Sequence, residues 1–407
     1  MAETATTEPT APGPLGDGFD VPIFQGDPFP LFKMLRANSP VVKIGERFWG
    51  VAKYDDVLRV LRDPETFSSR VSAADERGEP RPPTILFDDP PVHTRMRGLL
   101  TKAFTPRMVE LQRGFIQQNC DELIDAMLRK EEPDYVAGFS YPLPVGVIAK
   151  MLGVGDGDLA TFKRWSDAII ESIGTTLFDP DNADMESINT EFDTYFKGYI
   201  ERLREHPQDN LLSALVHAES EEEGRLSLED LLVVSRVLLV AGNETTTGLL
   251  FNMARVFADL PEVLDQLRAN LDLVPSFIEE ALRYYPPFPA TIRRTTRDVE
   301  LRGVTIPKGD RLLALLGSAN RDEEAFERAD EFIIDREPNR HLGFGMGIHY
   351  CLGAPLARLE GDIAARTLAP RIKGLEIVDA GEGGVLQVGG AKSMTVRFEL
   401  DPAFAVG

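Results

Sequence analysis

With 407 residues, 43% of them hydrophobic and 27% charged, the chain has the composition of an ordinary soluble globular protein. Its 66 acidic residues outnumber the 44 basic ones. The formal net charge of −22 excludes nucleic acid and anionic membrane as general partners. Two cysteines are too few for a disulfide framework, so the composition predicts a reduced, cytoplasmic setting.

The first 19 residues differ in composition from the rest. They are rich in Thr, Pro, Ala and Gly and lack a basic start and an apolar core, which predicts a flexible tail (residues 1–19) and not a signal peptide. No Gly/Ser-rich linker interrupts residues 20–407, so we expect one domain there. The most apolar run, 231–240, is too short to span a bilayer, and no membrane partner is expected.

The N-terminal part begins with strand signals and continues to a charged pair. Residues 41–44 and 48–51 flank a Gly-Glu-Arg turn, which predicts a hairpin, and residues 54–63 have helical periodicity. His93 and Arg97 are four residues apart, so a helix places both on one face. Taken alone, such a pair is most often a solvated surface feature. Three further basic residues follow in this acidic chain: Lys102, Arg107 and Arg113.

Helical patterns fill the middle of the chain. Residues 111–129 predict an amphipathic helix in which Cys120 fills the core. Two more helices are predicted over 158–173 and 185–204, with an irregular stretch at 174–184 between them.

The longest helical pattern covers residues 227–259. Ser227 and Asp230 resemble a capping box with Asp in place of Glu, and apolar residues surround much of the middle, which predicts a buried helix. Residues 241–247, AGNETTT, interrupt the pattern with polar side chains and with a glycine that costs ~1 kcal/mol relative to alanine. Two explanations are open: a kink whose Thr hydroxyls are satisfied locally, or a polar patch with a function.

The C-terminal part combines a charged helix with strands. Glu280 and Arg283 are three residues apart within a predicted helix at 275–285 and can form an ion pair. Strand signals then occupy five short segments: 299–301, 304–306, 312–315, 375–378 and 395–400.

Residues 344–353, FGMGIHYCLG, combine Cys351 with three glycines. Glycine lets the backbone turn tightly and approach another element closely, and Pro355 marks the first turn of a helix that begins after Gly353. Cys351 therefore precedes a helix N-terminus, where the dipole favours an anion, so we expect its thiol to ionise easily. Phe344 can shield the sulfur. A buried structural cysteine, the usual role of a lone one, would explain neither the glycines nor the helix start.

This stretch resembles the haem-binding loop of the cytochrome P450 family, of the form F-x-x-G-x-x-x-C-x-G, at Phe344, Gly347, Cys351 and Gly353. Three further motifs resemble those of the family, in the family's order: H-x-x-x-R at His93, A-G-x-[DE]-T at residues 241–245, and E-x-x-R at Glu280. The resemblance extends from about residue 41 to the end. It implies a mainly α fold with smaller β-sheets (α+β).

The resemblance also implies a cofactor, haem b, with the Cys351 thiolate as the metal ligand. Cationic residues would bind the haem propionates, because buried carboxylates need such donors, and small residues would make room over the haem. The implied cofactor-binding residues are His93, Arg97, Arg293, Phe344, His349, Cys351, Gly353, Ala241 and Gly242. Glu244 and Thr245 are the implied catalytic pair, which handles protons for dioxygen.

Two further sets of residues follow from the resemblance. Glu280, Arg283 and Arg336 would form a structural charge network near the cysteine loop. The expected pocket is mostly apolar, which favours a small to medium hydrophobic organic substrate. Its lining residues would be Ile85, Phe87, Ile169, Leu238, Ala241, Ile292 and Val388.

The activity implied is that of a monooxygenase that hydroxylates its substrate with dioxygen. No P-loop or dinucleotide fingerprint occurs, so electrons are expected from a separate ferredoxin or flavodoxin with its reductase. A peroxygenase or a non-catalytic haem sensor would not need the pair Glu244 and Thr245. A cysteine hydrolase that uses Cys351 with His349 would leave the cationic residues unexplained.

Overall fold

The computed structural model describes residues 27–72, 75, 77–79, 83–154, 159–178, 186–220, 224–381 and 391–404. The predicted tail at residues 1–19 and the pocket candidate Val388 lie outside the described residues.

Helices dominate the described chain, as predicted. They are α1 (Phe29–Asn38), α2 (Tyr54–Arg62), α3 (Val92–Ala103), α4 (Pro106–Glu110), α5 (Arg113–Leu128), α6 (Pro142–Leu152), α7 (Leu159–Phe178), α8 (Glu186–Glu205), α9 (Leu211–His217), α10 (Leu228–Asp259), α11 (Pro261–Ala269), α12 (Val274–Tyr284), α13 (Leu316–Ala319) and α14 (Ala354–Leu368). A π-helical turn, Val136–Ser140, precedes α6.

Helix α10 lies at the centre of the molecule and packs on α6, α7, α8 and α14. It begins at the predicted capping box, in which Ser227 Oγ accepts from the Asp230 N–H at 3.0 Å and Asp230 Oδ2 accepts from the Ser227 N–H at 2.9 Å. The helix continues for 32 residues through the AGNETTT segment without interruption. Within this segment Thr245 Oγ1 donates to the Ala241 carbonyl of the same helix at 2.7 Å, so this hydroxyl is satisfied locally without a break in the helix.

Helix α7 is longer than predicted. It runs to Phe178, so the prediction of irregular structure is wrong for residues 174–178. Apolar residues at 169, 173 and 177 keep the three-to-four-residue spacing of a helix face across that segment. The rest of the predicted irregular stretch, residues 179–184, lies outside the described chain.

The strands form one mixed sheet and three two-stranded pairs. They are β1 (Val41–Gly45), β2 (Phe48–Val51), β3 (Phe67–Ser68), β4 (Glu219–Ser220), β5 (Gly224–Arg225), β6 (Thr291–Thr295), β7 (Val299–Leu301), β8 (Val304–Ile306), β9 (Arg311–Ala314), β10 (Ile372–Ala380) and β11 (Met394–Leu400). The five-stranded sheet has the order β1-β2-β9-β6-β3, and only its β2–β9 pair is parallel. The predicted hairpin of β1 and β2 is confirmed.

The main hydrophobic core lies among the helices and draws residues from Ile85 to Val396, while two smaller clusters lie around the five-stranded sheet. Cys120 is fully buried in the main core, as predicted. The mainly α class with smaller sheets is confirmed. Of the helices in the described ranges, none combines the length and the apolar character that a bilayer span needs.

Candidate cofactor-binding and active site

The cysteine loop turns tightly before α14. Gly345 and Gly347 have positive φ angles of 69° and 76°. A Cβ on Gly347 would lie 2.4 Å from the Leu61 carbonyl oxygen of α2, so this position admits only glycine. The Cys351 N–H donates to the Phe344 carbonyl at 3.0 Å and closes the loop. The structure therefore holds Cys351 at a fixed place just before α14, as the sequence predicted.

Some neighbours of the Cys351 thiol favour its ionised form and others oppose it. Burial raises the pKa of Cys351, although hydrogen bonds from the Gly353 and Ala354 N–H groups and the nearby charge of Arg97 act to lower it. The net direction is upward, so the prediction of an easily ionised thiol is wrong for the side chain by itself. A metal ion on the sulfur would supply the missing positive charge.

His93 and His349 face each other beside the loop. Their ring centroids lie 4.2 Å apart, and His93, on α3, is 2% exposed. The Nε2 atom of His93 is buried without a hydrogen-bond partner. Burial and the neighbouring charge of Arg97 lower the pKa of His93, so the ring is neutral at neutral pH. A buried nitrogen without a partner fits a site for a polar group of a ligand.

His349 has protein partners of its own. Its Nε2 atom lies 2.9 Å from the Ser69 hydroxyl, and the ring also bonds to the Ile85 backbone. Burial, with the charges of Arg293 and His93 nearby, lowers the pKa of His349 to about 3. With these partners and this low pKa the ring is poorly suited to act as a base for Cys351, which counts against a cysteine hydrolase.

Two arginines complete the cationic cluster. Arg293, on β6, is buried and donates to the Ile292 carbonyl at 2.8 Å and to Thr291 Oγ1 at 3.2 Å. Burial lowers the pKa of Arg293 to about 10 and also lowers the pKa of Arg97. Within the described ranges neither arginine forms an ion pair. A buried cation, Arg293, and a partly buried one, Arg97, neither of them in an ion pair in these ranges, fit an anionic ligand with two carboxylates.

The donor set as a whole fits haem. Outside the masked segments there is no group of three or more His, Cys, Asp or Glu side chains that could hold a metal ion unaided. A single cysteine with N–H groups aimed at its sulfur fits a metal that brings an organic ligand with it. The unpaired cations Arg97 and Arg293 and the orphaned His93 nitrogen fit the carboxylates of that ligand.

The middle of α10 presents a partly accessible face between buried flanks. Leu238, Ala241 and Thr245 share this face, and Ala241 is exposed although its helix lies at the centre of the molecule. Gly242 faces another direction, because a Cβ there would lie 2.3 Å from Ile148 Cδ1 of α6. The expectation that Gly242 makes room beside Ala241 is therefore corrected: its small size permits contact between α10 and α6.

Glu244 lies beside charged groups of α7. Burial, together with the negative charge of Asp167, raises the pKa of Glu244 to about 7, while Lys163 and Lys392 act in the opposite direction. Lys163 Nζ lies 3.2 Å from Asp167 Oδ2, and both side chains are about half exposed. Because its pKa is close to neutral, Glu244 can both accept and release a proton.

The structure brings Glu280, Arg283 and Arg336 together as one buried network. Arg283 donates from Nε and Nη2 to the two Glu280 oxygens at 2.7 and 2.8 Å, and Arg336 Nε lies 3.1 Å from each oxygen. Both Glu280 and Arg283 are 0% exposed. The remaining Arg283 nitrogen donates to the Asn320 and Ala329 carbonyls. One carboxylate thus faces two guanidinium groups, and backbone carbonyls accept the remaining guanidinium N–H bonds, so the buried charges are hydrogen-bonded on all sides.

The other pocket candidates are distributed around this centre. Ile85 is 8% exposed and belongs to the main core, and its backbone contacts His349. Phe87, Ile169 and Ile292 are partly buried. Their proximity to the accessible face of α10 remains a prediction.

One set of residues near the cysteine was missed from the sequence. Glu279 of α12 pairs with Arg358 of α14 and with His341, directly beside Phe344. The sequence does offer one indication of this set, because Glu279 and Arg358 are oppositely charged residues in two predicted helices with apolar flanks. Sequence spacing could not place residues 79 positions apart in contact.

Comparison with known proteins gives consistent results. The family model described as cytochrome P450 matches residues 158–368. The putative cytochrome P450 YjiB of Bacillus subtilis is 41% identical over 86% of this chain and 89% of its own length. The cytochrome P450 monooxygenase PikC of Streptomyces venezuelae is 37% identical over 92% of both chains. The structure of CYP109E1 from Bacillus megaterium in complex with testosterone superposes with a TM-score of 0.81 at 36% identity, covering 91% of this chain and 99% of that one.

Proposed function

Since this chain belongs to the cytochrome P450 family, and is a haem-thiolate monooxygenase, we propose that Cys351 is the ligand of its haem iron. When bound, the haem supplies the activation of dioxygen. The single observation that carries the assignment is the position of Cys351 beside a cluster of unpaired cations, with two backbone N–H groups directed at its sulfur. We also propose that residues 20–407 form one catalytic domain, since the main core draws on nearly the whole described chain.

Four side chains would hold the haem propionates. Arg97 and Arg293 supply charge, the neutral His93 ring supplies its orphaned Nε2 atom, and His349 is held in place by Ser69. Binding of carboxylates here would remove the cost of burying unpaired polar groups. Phe344 and Gly353 would frame the sulfur from the two ends of the loop.

We propose haem b as the form of the cofactor. Covalent attachment of the c type uses a C-x-x-C-H segment, and the chain has only Cys120 and Cys351. Cys120 is buried in the helical core, where burial raises the pKa of its thiol to about 12. Both cysteines are free, which also supports a reducing, cytoplasmic location.

Glu244 and Thr245 would manage the protons of the reaction. Thr245 Oγ1 already donates its proton to the Ala241 carbonyl, so the hydroxyl oxygen is available as an acceptor that orients a water molecule or another donor. Glu244 can release a proton near neutral pH and recover one from solvent water, which reaches the half-exposed pair of Asp167 and Lys163 beside it. This arrangement supports dioxygen as the oxidant over hydrogen peroxide, which would need no such delivery.

The substrate would lie against the accessible face of α10. Leu238 and Ala241 offer apolar contact there, and Ile292 lies on β6 beside Arg293. A hydrophobic organic molecule of small to medium size fits such a lining. Testosterone is the ligand of the similar CYP109E1 structure, and we propose it as the first probe for the low-to-high-spin optical shift.

A separate electron donor would dock near the cysteine loop. A groove of about 340 Å³ lies between α4, α12 and α14, lined by Pro106, Arg113, Pro275, Pro355 and Arg358 among others. Lys102 and Arg107 are exposed nearby, whereas the charge of Arg113 is paired with Glu110. A small acidic ferredoxin, or a flavodoxin, with its reductase would complement the two free cations.

The docking proposal is tested by electron-transfer rates from a [2Fe–2S] ferredoxin at increasing salt. Exposed charges are screened over about 8 Å at physiological ionic strength, so the rate should fall as salt rises and should fall further in Lys102→Glu and Arg107→Glu. Arg113→Gln should have a smaller effect, because Glu110 already neutralises that charge. A rate indifferent to salt and to both reversals would contradict the docking site.

The ligand assignment is tested by carbon monoxide difference spectroscopy of two matched variants. Cys351→Ala should lose the red-shifted ferrous–CO band of a thiolate ligand. Cys120→Ala should keep the band, because Cys120 lies in the core of α5. If the two variants behaved in the opposite way, Cys351 would not be the ligand.

A further inference from the structure

Arg358 lies over the aromatic ring that begins the cysteine loop. Its guanidinium carbon is 4.5 Å from the centroid of the Phe344 ring, a cation–π contact. Arg358 Nη1 also lies 3.4 Å from Tyr350 Oη, next to Cys351 in the chain. One side chain of α14 thus contacts both ends of the loop that carries the sulfur.

The guanidinium is fixed in this position by Glu279 of α12. Arg358 Nε and Nη2 donate to the two Glu279 oxygens at 2.7 and 2.8 Å, a bidentate pair. Although burial opposes ionisation, hydrogen bonds from Arg358 and His341 lower the pKa of Glu279 to about 2. Glu279 therefore remains charged, and the pair remains formed, across the whole pH range in which the protein would work.

His341 completes the assembly and links it to the loop backbone. Its Nδ1 accepts from the Gly343 N–H at 3.0 Å, so Nε2 carries the ring proton and donates to Glu279 Oε2 at 3.1 Å. Gly343 immediately precedes Phe344, whose carbonyl accepts from the Cys351 N–H. A continuous set of contacts therefore runs from α12 through the loop to α14.

We propose that Arg358, held by Glu279, is a positioning residue that fixes the Phe344 ring over the cysteine loop and so preserves the bond between the Cys351 thiolate and the haem iron. The inference rests on the proposed role of Cys351 as the ligand. A ring held in place keeps water from the sulfur, and burial and outer contacts of this kind tune a metal–thiolate bond.

This role differs from that of an ordinary structural ion pair. The side chains of Arg358 and Glu279 are 36% and 29% exposed, so solvent screens this pair more than it screens the fully buried pair of Glu280 and Arg283. The buried pair of Glu280 and Arg283, one residue along the same helix, is the structural one. Loss of the Arg358 contacts should weaken thiolate ligation by more than the accompanying loss of stability explains.

The test compares Arg358→Lys, Arg358→Gln and Glu279→Gln in the haem-loaded protein. The measured quantity is the rate at which the red-shifted ferrous–CO band converts to the band of a protein that has lost its thiolate ligand. We expect roughly tenfold faster conversion in all three, since lysine keeps the charge but lacks the planar fork that bridges Glu279 and stacks on Phe344. The midpoint for unfolding by urea, measured in parallel, should fall less than in Glu280→Ala, which breaks the fully buried pair.

Arg366→Gln is the matched control. Arg366 lies on α14 two turns beyond Arg358 and pairs with Asp362, with comparable exposure. It should convert at the rate of the unsubstituted protein. If the Arg358 variants behave like this control, or if only Arg358→Gln is affected and charge alone is responsible, the positioning role is wrong. Those results would leave the assignment of Cys351 as the ligand intact. That assignment is overturned only if Cys120→Ala loses the ferrous–CO band and Cys351→Ala keeps it.

Discussion

The region around the cysteine loop and the middle of α10 are built in opposite ways. Beside the loop, Glu280 and Glu279 each accept charge-assisted hydrogen bonds at both oxygens, and their arginines have further partners. In the middle of α10, Thr245 is satisfied only within its own helix, and in the described part of the chain the Glu244 carboxyl has no hydrogen-bond partner. Full pairing produces rigidity, while a carboxyl without a fixed partner remains free to exchange a proton.

The largest expected effect comes from breaking the pairing on the cysteine side. Glu280→Ala leaves Arg283 fully buried without its carboxylate, which should destabilise the protein by about 3–5 kcal/mol. Urea unfolding followed by circular dichroism measures the change. Glu110→Ala removes the carboxylate of the exposed pair with Arg113 and should cost less than about 1 kcal/mol. Equal losses in both variants would contradict the contrast between buried and exposed pairs.

Glu360 of α14, like His93, is an exception to this pairing on the cysteine side. Both its oxygens are buried without partners, and burial raises its pKa well above the ordinary value of 4.5. The folded protein therefore keeps a proton that the unfolded chain loses. The stability that protonated Glu360 contributes is fully present below about pH 4.5. This contribution should fall as pH rises toward the pKa of Glu360 in the folded protein, by at most about 1.4 kcal/mol per pH unit.

Glu360→Gln tests this sign directly. The substitution removes the ionisable group, so the variant should lose less stability than the unsubstituted protein between pH 5 and pH 8, measured by urea unfolding at each pH. A slope as steep in the variant as in the unsubstituted protein would show that other groups cause the pH dependence.

In the middle of α10, removal of the Thr245 hydroxyl should change how much of the consumed nicotinamide leads to product and how much leads to hydrogen peroxide. Thr245→Ala should consume reduced nicotinamide at a comparable rate, yet form roughly tenfold less product and more hydrogen peroxide, because a proton donor is no longer oriented. Product formed per nicotinamide oxidised, with peroxide assayed in parallel, measures this coupling.

Thr246→Ala and Thr247→Ala are the controls for Thr245. Both side chains are buried on other faces of α10, and Thr247 bonds to Asn243, so their coupling should change little. If Thr246→Ala, and not Thr245→Ala, formed less product per nicotinamide oxidised, the role proposed for Thr245 would belong to Thr246. Unchanged coupling in all three variants would favour a reaction driven by peroxide.

The smallest effect is expected from Asp167. Its negative charge raises the pKa of Glu244, so Asp167→Asn should lower that pKa and move the pH profile of product formation to lower pH. If Glu244 acts by donating a proton, the rate falls as pH rises through about 7 in the unsubstituted protein, and earlier in the variant. A profile unchanged in Asp167→Asn and in Glu244→Gln would exclude this carboxyl as the titrating group.

Local chemistry made much of this architecture predictable from the sequence. The Ser227 capping box, the start and end of the long helical pattern of α10 and the loop around Cys351 depend on neighbours a few residues away. The long-range contacts depend on helix packing, which spacing does not encode. Examples are Asp167 beside Glu244, Arg358 over Phe344, and Gly242 against Ile148. The thiol pKa was mispredicted for the same reason, since burial is a tertiary property.

The contact between Gly242 and Ile148 acts as a spacer behind the site. Because a methyl group at position 242 would meet Ile148 Cδ1 at 2.3 Å, a larger residue must displace the Ile148 side chain or α10 itself. We therefore expect the room beside Ala241 and Thr245 to depend on a pair of residues outside that face, Gly242 of α10 and Ile148 of α6. Breadth of substrate acceptance can therefore be narrowed by enlarging residue 242 and restored by shortening residue 148, with every side chain on the accessible face left unchanged.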